Sequence, residues 1–439
     1  MSPMPRMAAL TATLLCSLPA YAQPPAALTG TIADRPYLFG DWDGARTRLA
    51  DRGITFKFSL TDELMHNFSG GNDHLTRAST ELSAGVTADL DRLWGIHHTT
   101  FTMVLTNRFG RSVDADAGIG TSQQSQEIYG RGQTTWLTQL TLGRTFFDGR
   151  LELLAGRGSE GDYYDASACT FVNLSLCGTQ GANLYGSYWM SHPGSVWMAN
   201  ATLHTSASTQ IGFGVFQQNP TYYDATWERS NAWKPMNPHG TDGIVLPLEF
   251  RWTPKLGGME GSYRVGAMIN TGGMPEITTD IDGGQRAVSG LAARQSGNSY
   301  NAWVAASQRL TGSNGGEGLT VGFRGVMGDR ATSVLDRQMT VSAEYQNPWH
   351  QIGDRVGLGF AATHTSSREA EYQAAYNALH PDDATSVGHG YEYTTELYYA
   401  WQALRFVSLQ PTLQYVVHPG GTSQNHNAFF AGMKSTIQF

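Results

Sequence analysis

From Ile54 to the C-terminal Phe439 the chain alternates apolar and polar residues with a period of two. In ITFKFSLT, Ile54, Phe56, Phe58 and Leu60 take one side. Thr55, Lys57, Ser59 and Thr61 take the other, and Glu63 continues the polar phase. In ELSAGVTADLD, Leu82, Ala84, Val86, Ala88 and Leu90 oppose Glu81, Ser83, Thr87, Asp89 and Asp91. In IVLPLEFRWT, Ile244, Leu246, Leu248, Phe250 and Trp252 oppose Glu249, Arg251 and Thr253. Successive side chains of a strand point to opposite faces, so each run predicts a strand with one apolar and one polar face. Sixteen runs are read, starting near residues 54, 81, 99, 133, 150, 196, 208, 244, 262, 301, 318, 338, 355, 392, 408 and 428.

The connections alternate too. Odd-numbered runs lead into long segments, 69–80, 110–132, 158–195, 217–243, 271–299, 328–337, 366–390 and 418–427. Even-numbered runs lead into short turns such as FFDG (146–149), HTSA (204–207), PKLGG (254–258) and NPWHQIGD (347–354). Long loops on one side and short turns on the other, with an even strand count, is the build of an outer-membrane barrel. It leaves both chain ends on the short-turn, periplasmic side. A sheet in lipid must close on itself, because unpaired backbone groups cannot face hydrocarbon. The predicted fold is therefore all-β, a 16-stranded antiparallel transmembrane β-barrel spanning 54–439 with inward-folding extracellular loops. At this width the barrel encloses water rather than a packed core. A soluble β-sandwich or propeller would need apolar residues where Thr55, Lys57, Ser59, Thr61 and Glu63 stand.

Two segments precede the barrel. Residues 1–22, MSPMPRMAALTATLLCSLPAYA, place Arg6 before an apolar run and end in Ala20-Tyr21-Ala22, the pattern of a secretory signal peptide. Leu15 before Cys16 is too bulky for lipoprotein processing. Residues 23–53 read as a Pro- and Ala-rich leader and one short periplasmic helix within 39–53. Asp41 or Asp43 can cap it, Ala45, Leu49 and Ala50 share a face, and Gly53 stops it.

Composition narrows the function. The formal charge of −8 with no basic patch argues against nucleic acid as partner. No apolar stretch after residue 22 is long enough for a membrane helix. Cys169 and Cys177, eight residues apart in an exported chain, predict a loop-closing disulfide. A metal site there lacks a His/Cys set at ligand spacing. GRGSEG (156–161) spells G-x-G-x-x-G after a strand, but no helix pattern or βαβ unit follows it. No Ser-His-Asp spacing is visible. The pairs Asp114/Asp116 and Asp280/Asp282 read as solvated loop carboxylates, with calcium as the alternative. No cofactor and no enzyme activity are expected.

Candidate chemistry concentrates between Arg108 and Trp136. Here one strand ends, a polar loop carries Arg111, Glu127, Tyr129 and Arg131, and a second strand begins. Arg108 shares the polar phase of Thr100, Thr102 and Thr106, so it is predicted to point into the lumen. A sugar presents hydroxyls that donate and accept, and flat C–H faces. Arginine supplies fixed donors and a carboxylate supplies acceptors. Tyr129 and Trp136 offer ring faces, although the phase of Trp136 equally allows it to face lipid. A solvated salt bridge that stiffens the loop is the alternative reading of Arg108 and Glu127.

Several stretches resemble the carbohydrate-selective porin family of OprB type. They include FGDWDGARTRLADRGI (39–54), NFSGG (67–71), SQEIYGRGQTTWLTQL (125–140), FFDGRLELLAGRGSEGDYYDASACTFVNLSLCGTQGAN (146–183), FQQNP (216–220), GIVLPLEFRWTPKLGGMEGSYRVG (243–266), SLQPTLQYVVHPGG (408–421) and AGMKSTIQF (431–439). The resemblance runs in order over nearly all of 23–439. It implies a sixteen-stranded outer-membrane channel passing small, glucose-like sugars by diffusion. The family narrows its pore with an arginine and a carboxylate near the second long loop, which the resemblance places on Arg108 and Glu127, with Arg131 in the same segment. AGRGSEGDY likewise places Arg157, Glu160 and Asp162 in the third loop. Gly158 stands where the family has an aromatic residue, which implies a more open wall there. CTFVNLSLCG supports a Cys169–Cys177 bridge. The ending in Phe439 resembles the signal that the barrel assembly machinery recognises. The implied partners are small sugars, outer-membrane lipid and lipopolysaccharide, with the chain a monomer or a homotrimer. The alternatives are a non-selective or anion-preferring porin, or a barrel enzyme or receptor, for which neither a catalytic set nor a plug domain is visible.

Overall fold

The computed structural model describes residues 32–184 and 189–439, so the expected signal peptide and the first part of the leader lie outside the described residues. Sixteen strands form the wall: β1 Ile54–Ser69, β2 Thr76–Asp89, β3 Thr99–Gly110, β4 Thr135–Phe146, β5 Leu151–Gly158, β6 Val196–His204, β7 Thr209–Gln218, β8 Gly243–Trp252, β9 Met259–Asn270, β10 Ser299–Arg309, β11 Gly318–Gly328, β12 Leu335–Gln346, β13 Arg355–Thr365, β14 Tyr391–Leu404, β15 Val407–Val417 and β16 Ala428–Gln438. Every sequential pair is antiparallel, and β16 pairs with β1, Glu63 opposite Lys434, so no edge is left. Closure removes the unpaired backbone that lipid cannot satisfy.

The alternation sorts the wall as the sequence predicts. On the outside, Leu142, Val304, Leu358 and Leu413 are each 44–51% exposed, an apolar belt that only lipid or another protein can cover. The first long loop is shorter than the sequence suggests, 70–75 rather than 69–80, because β2 begins at Thr76. Thr76, Ala78 and Thr80 hold the outward phase there, paired with His66, Leu64 and Asp62. They are too small or too polar to register as an apolar face.

The helix of the leader spans Ala45–Asp51, and its N-cap is Gly44 at φ 83°, not Asp41 or Asp43. Asp41 still accepts from the Thr47 N–H at 3.0 Å and its hydroxyl at 2.9 Å. Gly53, at φ 96°, ends the turn as expected. The preceding segment is pinned to the closing seam. The Leu38 N–H donates to the Gln438 carbonyl at 2.9 Å and the Arg46 guanidinium to the Phe439 carbonyl at 2.7 Å. Trp42 lies against Phe56 and Phe58, and Phe39 stacks on Phe439 with ring centroids 5.4 Å apart.

Candidate functional site

The inward faces do more than meet water. The second loop (111–134) and the third loop (159–195) turn into the barrel, and inward side chains grip their backbones. Glu396 on β14 accepts from the Val172 and Asn173 N–H groups at 2.8 and 2.7 Å. Glu392, four residues earlier on the same face, accepts from Ser122, Gln123 and Gly420. Glu249 on β8 accepts from the Asp165 N–H at 2.9 Å and the Trp303 indole at 2.8 Å. Gln414 and Gln338 reach the Ser125 and Ser175 carbonyls. The third loop leaves β5 and is held on β14 and β15, nearly opposite in a ring of sixteen, so it crosses the lumen. Apolar side chains seal the contact: Tyr164, Trp189 and Met190 pack on Phe216, Met268 and Trp303, while Val113 and Ile119 of the second loop pack near Met65 and Phe430. The two loops are also joined, by Glu127 N–H to the Val172 carbonyl and Leu174 N–H to the Gln124 carbonyl, both at 2.9 Å.

Where these loops meet the wall, charges alternate in a row. Lys434 Nζ of β16 stands 3.2 Å from Glu63 Oε1 and 3.1 Å from Glu127 Oε1. Glu127 Oε2 is 3.9 Å from Arg108 Nη2, and Arg108 Nε is 2.7 Å from Glu81 Oε2. His192 Nε2 of the third loop follows, 3.3 Å from Glu81 Oε2. The register explains the convergence: Glu81 faces Arg108 across the β2–β3 ladder, and Glu63 faces Lys434 across the seam. Cys169 and Cys177 are joined in a disulfide, and their sulfurs and a Glu127 carboxylate oxygen lie within 4.8 Å of one another. The bridge therefore sits against the same row.

His192 gives the row a pH response. Enclosure pulls the imidazole down, but Glu81 beside it more than offsets that, and the group is raised above its ordinary 6.5. Arg108 opposes the rise and Asp162 adds to it. Protonation of the imidazole adds one positive charge to the row. Cation preference is thus expected to fall as pH drops through the raised His192 titration, and His192→Asn to flatten that response. Reversal potentials across a salt gradient, taken on either side of that titration, check the change. Equal pH dependence in both proteins would remove His192 from the row.

The expected site residues divide. Arg108 and Glu127 meet in the row. Tyr129 and Arg131 are partly exposed, and Arg131 donates to the Trp189 carbonyl and the Ser191 hydroxyl at 3.3 Å, next to His192 in the chain. Trp136 is not at the lipid surface; it is fully buried and its indole donates to the Arg131 carbonyl at 2.9 Å. Arg157 is also fully buried, donating to the Ser195 carbonyl at 2.7 Å beside the Tyr222 ring. Glu160 is buried in the third loop, where loss of water pushes its carboxyl up to about 8, so it is neutral at pH 7. Burial also raises the nearby Asp162. Trp136, Arg157 and Glu160 are thus enclosed by protein rather than set in the row. The wall at Gly158 is not opened: Met198 and the Tyr163 hydroxyl occupy the space a side chain would take. The acidic loop pairs serve local structure. Asp116 pairs with Arg77 and Arg111, Asp114 accepts from Ser125 and Thr121, and Asp280 accepts from the Asp282 and Gly284 N–H groups. Glu63, Glu81 and Lys434 were visible only as inward-phase charges; what gathers them is the closure of β16 on β1.

A closed sixteen-stranded barrel with two loops folded into it and a charged row where they meet defines an outer-membrane porin. Residues 74–439 match the description "Carbohydrate-selective porin, OprB family", and the chain belongs to that family. It is 32% identical over 419 residues to Porin B of Pseudomonas aeruginosa, covering 92% of this chain and 91% of that protein. It is 30% identical over 426 residues to a putative porin QuiX of Acinetobacter baylyi, covering 92% and 94%. The high-pH structure of Pseudomonas putida OprB superposes with a TM-score of 0.88 at 30% identity, covering 93% of this chain and all of that one. The protein is an outer-membrane channel for carbohydrate diffusion.

Proposed function

We propose that the row from Glu63 to His192, with Tyr129 and Arg131 beside it, is the waist past which small sugars diffuse. The observation that carries this is the Glu127 carboxylate held between Lys434 and Arg108 at the point where both inward loops meet the wall. A hydroxylated solute exchanges water for these donors and acceptors, and the exchange is weak, because a channel must release what it admits. The protein acts as a passive channel rather than an enzyme. Residues 1–22 direct its export, the assembly machinery inserts it, and lipid and lipopolysaccharide surround its belt.

An anion-preferring pore would need cations turned to the water path. Arg251, Arg264 and Arg324 stand on the opposite wall, but they are turned onto the third loop. Arg251 binds Glu249, Arg324 binds Asp165, and Arg264 donates to the Ala166 carbonyl. In proteoliposomes, wild-type protein is expected to admit mono- and disaccharides well above a protein-free control. Arg108→Gln and Glu127→Gln are each expected to change the ratio of glucose to uncharged-polyol entry severalfold. Unchanged ratios in both would move the waist elsewhere and leave the barrel standing.

A further inference from the structure

At one place the extracellular rim of the apolar belt carries cations. Met327 of β11, Arg337 of β12, His364 of β13 and Tyr391 of β14 stand opposite one another in successive ladders, so their side chains share one face of the sheet. That face is the lipid side. Met327 is exposed there, and so are Met339 and Val341, two and four residues further along β12. Arg337 lies near the start of β12, where the chain comes down from the sixth long loop. Tyr391 stacks on Tyr393 and Tyr393 on Phe360. Such rings girdle a barrel where hydrocarbon gives way to headgroups.

The protein fixes these cations without using up their donors. The β12–β13 register slips at Asp336, a bulge that re-aims the side chain. Asp336 Oδ1 lies 2.7 Å from His364 Nδ1. Arginine can only donate, so Arg337 Nη2 donates to His364 Nε2 at 3.1 Å, and His364 Nδ1 donates in turn to Asp336. Arg330 of the sixth loop meets the other Asp336 oxygen through Nε at 3.2 Å. Two guanidiniums therefore share one carboxylate. Asp329, beside Arg330 in the loop, is turned onto the Ala331 N–H and the Thr332 hydroxyl. Among the described residues, neither Arg337 Nη1 nor the two terminal nitrogens of Arg330 have a protein acceptor, and both side chains are exposed.

We propose that Arg330 and Arg337 form a binding site for the phosphorylated sugar headgroup of a lipopolysaccharide, with an acyl chain lying on Met339, Val341 and Phe360 beneath it. The long loops put the site in the extracellular leaflet. A guanidinium offers paired donors that match two phosphate oxygens, and charge assists both bonds. The carboxylate and imidazole hold the guanidiniums in place, which lowers the ordering cost of binding. A free phosphate ion would use only the cations; a glycolipid also covers the exposed apolar wall directly below them. Elsewhere on the rim the exposed residues Phe68, Phe109, Ile269 and Tyr300 carry no charge, so the cations make a local site rather than a basic ring.

The test titrates delipidated full-length protein in detergent with diphosphoryl lipid A, dephosphorylated lipid A or inorganic phosphate, and counts bound lipid by native mass spectrometry. Diphosphoryl lipid A is expected to bind at least tenfold tighter than its dephosphorylated form, and millimolar inorganic phosphate is expected not to displace it. Arg330→Gln/Arg337→Gln should lose that preference, and Arg337→Lys, which keeps the charge without the fork, should fall between. Arg294→Gln, which removes a guanidinium held by Glu276 on another extracellular loop, should match wild type. Heat-modifiable migration in gels checks that each barrel is closed. Equal affinity for the two lipids, an unchanged preference in the double variant, an equal loss in Arg294→Gln, or displacement by inorganic phosphate overturns the proposal.

Discussion

Lys434→Met is expected to enlarge the single-channel conductance severalfold and abolish its block by sugars, with the barrel intact. Methionine keeps an unbranched apolar stem and removes the ammonium, with its charge and its hydrogen bonds. Lys434 is the cation shared by Glu63 and Glu127, and the Glu63 side chain is wholly excluded from water. Breaking a buried pair by removing one partner costs roughly 3–5 kcal/mol, because the other charge stays behind uncompensated. Here two carboxylates stay behind and repel each other. The second loop can relieve them by leaving, since Ile128 N–H to Glu63 and Glu127 N–H to Val172 are among its ties at this point. The sixteen ladders do not depend on that contact, so heat-modifiable migration in gels should persist. Glu127→Gln/Lys434→Met removes one of the opposed charges and should recover part of the wild-type conductance. The cycle of both singles and the double gives the coupling, of order 0.5–3 kcal/mol for residues in contact. Wild-type conductance in Lys434→Met would exclude the row as the waist.

What the sequence disclosed and what it withheld follow from range. Alternation is a local property, so the strand positions, their number and the asymmetry of long and short connections were readable from Ile54 onward. Arg108 could be aimed at the lumen for the same reason, since Thr100 to Arg108 share one phase. Which inward residues meet is a property of closure. Lys434 lies 307 residues from Glu127 in sequence, and only the return of β16 to β1 joins them. The resemblance pointed to segments of the chain but not to the burial of their members. Trp136 sits in the same matched segment as Glu127, and Arg157 and Glu160 sit in the next one, yet all three are enclosed by protein.

The second large effect is expected from a residue outside the charged row. Glu396→Ala should raise conductance and remove sugar discrimination in the same direction as Lys434→Met. Glu396 accepts the Val172 and Asn173 N–H groups and the Thr412 hydroxyl, and Val172 and Asn173 are almost wholly buried. A buried donor left without its acceptor costs about 1–3 kcal/mol, so the two amides together should cost roughly 2–6 kcal/mol. The loop need not detach everywhere. Gln338 on Ser175, Gln180 on Thr340, and the Cys169–Cys177 bridge hold its flanks. The segment around Val172 is the part released, and its carbonyl is the acceptor for Glu127 N–H. Losing Glu396 therefore unseats Glu127 through the backbone, without touching any member of the row. Glu396→Gln keeps one acceptor oxygen and should fall between wild type and Ala in conductance and in protease cleavage of the third loop. If Glu396→Ala opened the loop to protease but left conductance and sugar block unchanged, the third loop would be a cover over the pore and not the support of its waist.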